Sequence, residues 1–283
     1  MAILVTGAAG NIGRHIVSNA LEAGTGVRAL VRRPAEAQLP ADVDVVPGDM
    51  TDLDAVRRAL DGVEALYLFP VLDVVPAIAQ LAREAGLRTV VFLSGAWTAG
   101  LSLRDRESWT YAQYVEAEAA VEAAGLEWTM LRPGPFMTNM LWWARTIKAS
   151  RLVRAPYAAA TCPAIHEADI ADVATAALLE PGHAGARYML TGPAQVSQIE
   201  QAQALGAALG EEITFDELTA DQWRESVGRF VRPGIAADLL RDWSETAADP
   251  SSALPVYDTV PQVTGKPARS IEQWADEHIA AFR

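Results

Sequence analysis

Ile3-Leu4-Val5-Thr6-Gly7-Ala8-Ala9-Gly10-Asn11-Ile12-Gly13 is an apolar run that meets three glycines spaced three apart, and the amphipathic stretch RHIVSNALEAG (14–24) follows directly. This order predicts a buried strand, a tight turn and a helix. A helix N-terminus presents unpaired backbone N–H groups and the positive end of a dipole to an anion. Gly7 and Gly10 permit close backbone approach, and Gly13 lets the helix pack against the strand. The expected occupant is a pyrophosphate, so Thr6, Gly7, Ala9, Gly10, Asn11, Ile12 and Gly13 are the first candidate contacts of a dinucleotide. The spacing is GxxGxxG, not the better-known GxGxxG.

Outward from that turn, short apolar runs alternate with stretches of helical period. Strands are predicted at 2–6, 26–31, 43–46, 64–69, 89–94 and 127–131, with helices at 11–23, 51–60, 73–85 and 108–124. Repeated βαβ units with right-handed crossovers give an α/β fold, a doubly wound parallel Rossmann sheet that binds ligands beyond its carboxyl strand ends. After Pro133 the rhythm changes. GPFMTNMLWW (134–143) is apolar and aromatic, and RAPYAAATCPAIH (154–166) reads as an irregular crossing segment. A helix at 167–179 and a strand at 186–191 return to the sheet. From Val196 the chain reads as a helix, a short strand in EITFDEL (212–218) and helices near 219–229, 234–246 and 270–281. The expected division is a sheet domain of 1–134 and 166–192 and a smaller C-terminal α+β cap of 135–165 and 193–283.

Composition bounds the rest. With 283 residues, 51% hydrophobic and 21% charged, the chain has the make-up of one large globular domain or two unequal ones, which excludes disorder. Its net charge of −13 repels phosphate backbones and excludes general nucleic-acid binding. No apolar run reaches the ~18 residues a membrane span needs, and the start MAILVTGAAG shows no basic signal region. A cytoplasmic protein is expected. One cysteine, Cys162, excludes an intrachain disulfide framework, and His15, His166, His183 and His278 are scattered without ligand spacing, so no structural metal is expected.

The second strand bears on which dinucleotide binds. An NAD-selective site usually places an acid there for the ribose 2′-OH, but VRALVRRP (27–34) ends in Arg32 and Arg33, which favour a 2′-phosphate and hence NADP(H). Arg32 is the stronger candidate and Arg33 reads equally as a solvated surface charge; Arg14 offers a second phosphate contact. Asp49 and Met50 end the third strand, where a short acid meets the adenine amino group or, alternatively, caps the next helix; Thr51 and Asp52 are competing caps.

TGAAGNIG (6–13), VRALVRRP, GDMTD (48–52), FLSG (92–95), GLEWTMLRPGPFMTN (125–139) and DIADVATAALLEPGHAGARYMLTGP (169–193) together resemble the NmrA-like branch of the atypical short-chain dehydrogenase/reductase superfamily. The similarity runs through essentially the whole chain in order. It implies that Phe69, Pro70, Ser94, Gly95 and Pro133 to Phe136 line the cofactor. For activity it implies quinone reduction, reduction of phenolic double-bond systems, or dinucleotide-binding regulation without turnover.

The superfamily's usual catalytic pair is Tyr-x-x-x-Lys, in which the ammonium lowers the phenol's pKa so that it can protonate the substrate. Here Val115 follows four residues after Tyr111 and Glu118 four after Tyr114, and the only lysines are Lys148 and Lys266. Three readings remain open. Tyr111 or Tyr114 merely donates a hydrogen bond while hydride reaches an electron-poor acceptor such as a quinone, enone or carbonyl. Alternatively Glu118, buried and with a raised pKa, is the acid, with Ser94 as a cofactor neighbour or relay. In the third, no hydride moves and the chain is an NADP(H) sensor passing its state to a protein partner, or a non-redox isomerase or cyclase. Glu116, Glu118 and Glu122 also read as a solvated acidic face. Trp97, Phe136, Met137, Met140, Trp142, Trp143 and Tyr157 gather into a candidate slot for a flat hydrophobic small-molecule substrate, or into interdomain core. His166 reaches the same region or serves structurally, and Asp169 and Asp172 are expected to serve the N-terminus of their helix. No GxSxG elbow is present, which argues against a serine hydrolase.

Overall fold

The computed structural model describes residues 2–100, 106, 108–228 and 231–283. The first part alternates as its apolar rhythm predicts: β1 (Ala2–Thr6), α1 (Asn11–Glu22), β2 (Gly26–Val31), β3 (Asp44–Pro47), α2 (Leu53–Leu60), β4 (Ala65–Leu68), α3 (Val75–Glu84), β5 (Thr89–Leu93), α4 (Trp109–Ala123) and β6 (Glu127–Pro133). Then come α5 (Ala144–Ser150), β7 (Leu152–Ala155), β8 (Thr161–Cys162), α6 (Glu167–Leu179) and β9 (Ala186–Leu190). Seven parallel strands form one sheet in the order β3-β2-β1-β4-β5-β6-β9. The order reverses between β1 and β4, and their carboxyl ends open the crevice in which such sheets bind ligands.

Alternation along each strand feeds two cores. Ile3 and Val5 of β1, with Val91 and Leu93 of β5, pack beneath α1 and α6, while Leu4, Val90 and Phe92 pack beneath α2, α3 and α4. Each such side chain contributes roughly 1.5–3 kcal/mol by leaving water. These buried strands therefore hold their carboxyl ends in fixed register.

The remaining elements are β10 (Val196–Ser197), α7 (Gln198–Leu209), β11 (Thr214–Glu217), α8 (Ala220–Val227), α9 (Pro233–Ala248), α10 (Thr259–Thr264) and α11 (Ile271–His278). A third core joins them to the segment after β6: Met137, Met140, Ile147 and Val153 pack with Leu205, Ile271, Trp274 and Phe282. The segment expected to be irregular contains part of β7 and all of β8, because β7 pairs with β11 and β8 with β10. These partners lie some 35 to 60 residues away in sequence, beyond the reach of local pattern. The short α10 was not expected; Val260 anchors it in the first core despite Pro261 within it. The predicted end of the 219–229 helix, at Arg229, lies outside the described residues.

At α6, Asp169 stands in the first turn, as expected of an acid that serves the helix N-terminus, whereas Asp172 lies beyond it. His166 is the cap, its Nδ1 accepting from Ala168 N at 3.0 Å. Asp169 accepts from Arg269 N at 2.8 Å and pairs with its guanidinium, and Asp172 bonds Asn19 and Arg269. Both acids hold Arg269, in the chain leading into α11, and Asp172 also ties α6 to Asn19 of α1. No helix among the described residues is long and apolar enough to cross a membrane.

Candidate active site

The glycine turn is shaped by backbone contacts that side chains would block. Gly7 has φ +67°, and Gly10 N donates to Gly7 O at 2.9 Å. A Cβ on Gly13 would lie 2.1 Å from Gly7 O, so α1 sits against the turn as only glycine allows. No side chain caps α1 and no acid occupies its first turn. Its leading N–H groups therefore remain available to an outside anion, as a pyrophosphate requires. The Phe69 ring lies over Gly7 and is 42% exposed at the mouth of the crevice.

Two residues assigned to ligand contact are already engaged. Thr6 is fully buried; its hydroxyl donates to Tyr67 O and accepts from Phe69 N, each at 2.8 Å, so it fixes where β4 releases Phe69. Arg14 donates to Ala9 O and Gly10 O, bracing the turn from outside. Beyond β2, Arg32 is largely exposed and lies 3.7 Å from Asp49, while Arg33 pairs with Glu36 at 2.7 Å. Asp49 accepts from the Thr51 N–H and hydroxyl, which hold its carboxyl below the usual range. Asp52, not Asp49, caps α2, and the Met50 side chain packs into the core beside Leu4 and Leu30.

At the carboxyl ends of β5 and β6 the structure builds a polar cluster. Arg132 holds both oxygens of Glu118, Nε to Oε1 at 3.0 Å and NH2 to Oε2 at 2.6 Å. Ser94 donates to Glu118 Oε1 at 2.5 Å, and the Thr98 hydroxyl, whose one proton is shared with Gly95 O at 2.7 Å, lies 3.0 Å from the same oxygen. Burial alone would raise the Glu118 pKa, but these four bonds and the guanidinium charge bring it below the ordinary value. The expectation of a raised pKa, and with it the case for Glu118 as the acid, is corrected: the hydrogen bonds and the guanidinium favour the ionised carboxylate. The acidic-face alternative is corrected as well, since Glu118 points inward while Glu116 is exposed and Glu122 pairs with Arg187. Ser94 directs its proton to Glu118 and has none to offer a substrate in this arrangement.

Tyr114 lies edge-on to Trp97, ring centroids 5.7 Å apart, and burial pushes its phenol up to about 12. Tyr111 lies by Gly100, its Cε2 3.3 Å from where a Cβ would stand. The Trp97 indole rests on Gly95, leaving no room there for a side chain. Arg132 and Thr98 were missed in the sequence. A single guanidinium inside the apolar strand EWTMLRP was the available signal for Arg132.

Beyond the end of β6, a cavity of about 360 Å³ runs from Pro135 and Phe136 into the later helices. Two bonds fix its near wall: Ile165 N donates to Pro135 O at 2.8 Å and Met137 N to Ile165 O at 2.9 Å. Of the predicted slot, Phe136, Met140, Trp142 and Trp143 line the cavity. Trp97, Met137 and Tyr157 do not. Trp97 packs on Tyr114, Met137 is 1% exposed within the third core, and Tyr157 packs in the Trp223–Leu240 cluster. Trp223 and Trp243 complete the far wall, edge to face at 4.9 Å. They come from helices distant in sequence and gave no local signal.

His166 stands away from the cavity wall. The fold brings it within 4.8 Å of Glu277 and His278, although sequence placed these residues far apart. His278 Nδ1 lies 2.9 Å from Trp274 O and Nε2 2.8 Å from Glu167, so both ring nitrogens are engaged within the protein. Burial alone would lower the His278 pKa; the Glu167 and Trp274 bonds raise it. The cluster is thus an ionic hydrogen-bond network tying α11 to α6.

The sequence matches the model of an NAD(P)H-binding family over residues 7–181. It is 36% identical over 284 residues to (4-alkanoyl-5-oxo-2,5-dihydrofuran-3-yl)methyl phosphate reductase of Streptomyces griseus, covering 99% of both chains. Identity to NAD(P)H azoreductase of Xenophilus azovorans is 34% over 289 residues, again 99% of each. The crystal structure of NADPH-dependent quinone oxidoreductase from Escherichia coli complexed with NADPH has a TM-score of 0.78 at 23% identity, covering 97% of this chain and 99% of that one, a likeness of fold. The chain therefore belongs to the NAD(P)H-binding family.

Proposed function

We propose that the protein is an NADPH-dependent reductase of a small, largely apolar, electron-poor molecule such as a quinone or an enone. The observation that carries this reading is the Glu118–Arg132 pair. Glu118 stands four residues after Tyr114, where the usual pair would have its lysine, and Arg132 favours its ionised form. With the Tyr114 phenol at about 12, neither Tyr114 nor Glu118 releases a proton readily near neutral pH. An unactivated ketone would leave a strongly basic alkoxide and needs such an acid. A quinone or enone gives a delocalised anion that water protonates afterwards. The two curated relatives, named as reductases of an oxo-dihydrofuran phosphate and of azo compounds, have acceptors of the same conjugated, electron-poor kind.

When bound, NADPH supplies the hydride. In this reading the backbone N–H groups of the turn from Gly7 to Gly13 hold the pyrophosphate, Arg32 with Arg33 the 2′-phosphate, and Asp49 the adenine edge. Phe69, Pro70, Gly95, Pro133 and Phe136 wall the reacting end, and Ser94, fixed by Glu118, keeps the end of β5 in place. Residues 1–134 and 166–192 form the cofactor domain, and 135–165 with 193–283 form the substrate cap. A cytoplasmic location completes the reading, where NADPH is supplied and the Cys162 thiol, raised to about 11 by burial, stays reduced.

The test is NADPH oxidation, followed by its absorbance, across quinones, enones, azo dyes and unactivated ketones. Turnover with the conjugated acceptors and none with the ketones is expected. Tyr114→Phe is expected to change kcat by less than about threefold, where loss of a phenolic proton donor costs about 10². Absence of oxidation by every acceptor, or a hundredfold loss in that variant, overturns the proposal.

A further inference from the structure

The cavity carries a charge pattern that hydride transfer does not require. In a chain of net charge −13, its walls among the described residues hold two guanidinium groups, Arg145 and Arg154, and no carboxylate. Arg154 is already engaged, its Nε 2.9 Å from Asp216 across the β7–β11 pair. Arg145, in the first turn of α5, makes no hydrogen bond or ion pair among the described residues. Lys148 follows one helical turn later and adds a second positive charge on that side. Five aromatic side chains, Phe136, Trp142, Trp143, Trp223 and Trp243, supply its flat surfaces, with the neutral polar Asn139, Gln198 and Gln201 between them.

A guanidinium is a rigid fork of donors that matches the two oxygens of a carboxylate or phosphate. At the rim of an apolar slot, one without a counter-charge is half of an ion pair. We propose that the natural substrate is amphipathic, with a flat apolar body between the aromatic walls and an anionic group, a phosphate monoester or a carboxylate, held by Arg145 with Arg154 as a second donor. Its description as a substrate rests on the reductase reading; the anion site itself does not. Because Arg145 is exposed, the contact is screened by salt and its strength falls as ionic strength rises.

Calorimetric titration of the full chain with 2-naphthyl phosphate, 2-naphthoate and 2-naphthol tests the site without turnover. At least one anion is expected to bind about tenfold or more tightly than the neutral alcohol, as a charge-assisted contact predicts, and the phosphate and carboxylate arms show which anion the site prefers. Arg145→Gln should abolish that advantage, Arg145→Glu reverse it, and Arg145→Lys keep part of it. Equal affinity for alcohol and anions, or an advantage that Arg145→Gln leaves intact, overturns the proposal. The kcat/KM ratio for a sulfonated against a neutral naphthoquinone separates the two readings. If anions bind through Arg145 yet no acceptor oxidises NADPH, the reductase reading fails and the anion site stands. If quinones are reduced but their charge preference ignores Arg145, the anion site fails and the reductase reading stands.

Discussion

Replacing Arg132 with glutamine removes the group that holds both oxygens of Glu118. The carboxyl stays buried, 4% exposed, with only the Ser94 and Thr98 hydroxyls at 2.5 and 3.0 Å. Those two bonds exist before and after the change, so they do not offset the loss. Deleting one partner of a buried pair costs about 3–5 kcal/mol. We expect about 3 kcal/mol at neutral pH, the lower end, because the Arg132 side chain is 14% exposed and some water can replace it. The pH dependence gives the sign. In the native protein the folded pKa of Glu118 is depressed, so its stabilisation is complete above the unfolded carboxyl value of about 4.3 and is lost as pH falls through the lower folded value. In the variant, burial acts with less opposition and the folded pKa rises. The carboxyl then takes up a proton as pH falls, and the penalty shrinks. Urea unfolding followed by tryptophan fluorescence and far-ultraviolet dichroism should therefore show a gap between the proteins that is widest at neutral pH and narrows toward about pH 4.5. A variant within about 1 kcal/mol of the native protein at neutral pH, or a gap that stays constant with pH, would refute the assignment of Glu118 as an ionised carboxylate.

Arg32→Glu should reduce the ratio of NADPH to NADH affinity by about tenfold or more, measured by calorimetry, since repulsion replaces a charge-assisted contact; equal losses for both cofactors count against Arg32 as the 2′-phosphate ligand. Gly13→Ala places a methyl 2.1 Å from Gly7 O, so the turn and α1 must separate, and both thermal stability and NADPH affinity should fall. Unchanged values for both would contradict the packing described for the turn. For His278 the folded pKa is raised, so its stabilisation is complete below the ordinary value of about 6.5 and is lost as pH rises through the folded value. His278→Gln should remove that alkaline decline from the urea midpoint, and a decline that persists in the variant would place its origin elsewhere.

The sheet was legible because both of its faces are buried. Continuous Val, Ile and Leu runs set the strands, and Gly7, Gly10 and Gly13 set the turn that α1 must share with β1. The polar cluster was half legible. Sequence put Glu118 one helical turn after Tyr114, but the direction of its pKa shift depends on Arg132, which approaches from another strand, and on Thr98, beyond β5. Residues that are neighbours only through the sheet leave no spacing to read. The same limit hid Trp223 and Trp243, and it misassigned Met137, whose apolar character suits the third core as well as a cavity wall. Thr6 shows a different limit: its place beside Gly7 suggested ligand contact, yet full burial commits its hydroxyl to β4.

The charge distribution links the two ends of the candidate site. A chain with net charge −13 repels anions at long range, yet each surface assigned to a ligand carries donors for an anion: the N-terminus of α1 with Arg32, 3.7 Å from Asp49, on one side, and Arg145 with the Asp216-paired Arg154 on the other. Local positive potential inside a negative surface concentrates an anion only over the last Debye length, about 8 Å at physiological salt. Added salt then has opposing effects, since it screens the overall repulsion and weakens the local attraction together. An anionic acceptor and the cofactor should therefore both lose affinity with salt more gently than their own charges suggest, whereas a neutral quinone should be nearly indifferent. Comparing the salt dependence of kcat/KM for matched neutral and sulfonated acceptors reads this balance, and a steep loss for the sulfonated one would mean that the local pair dominates and the bulk charge of the surface is irrelevant to capture.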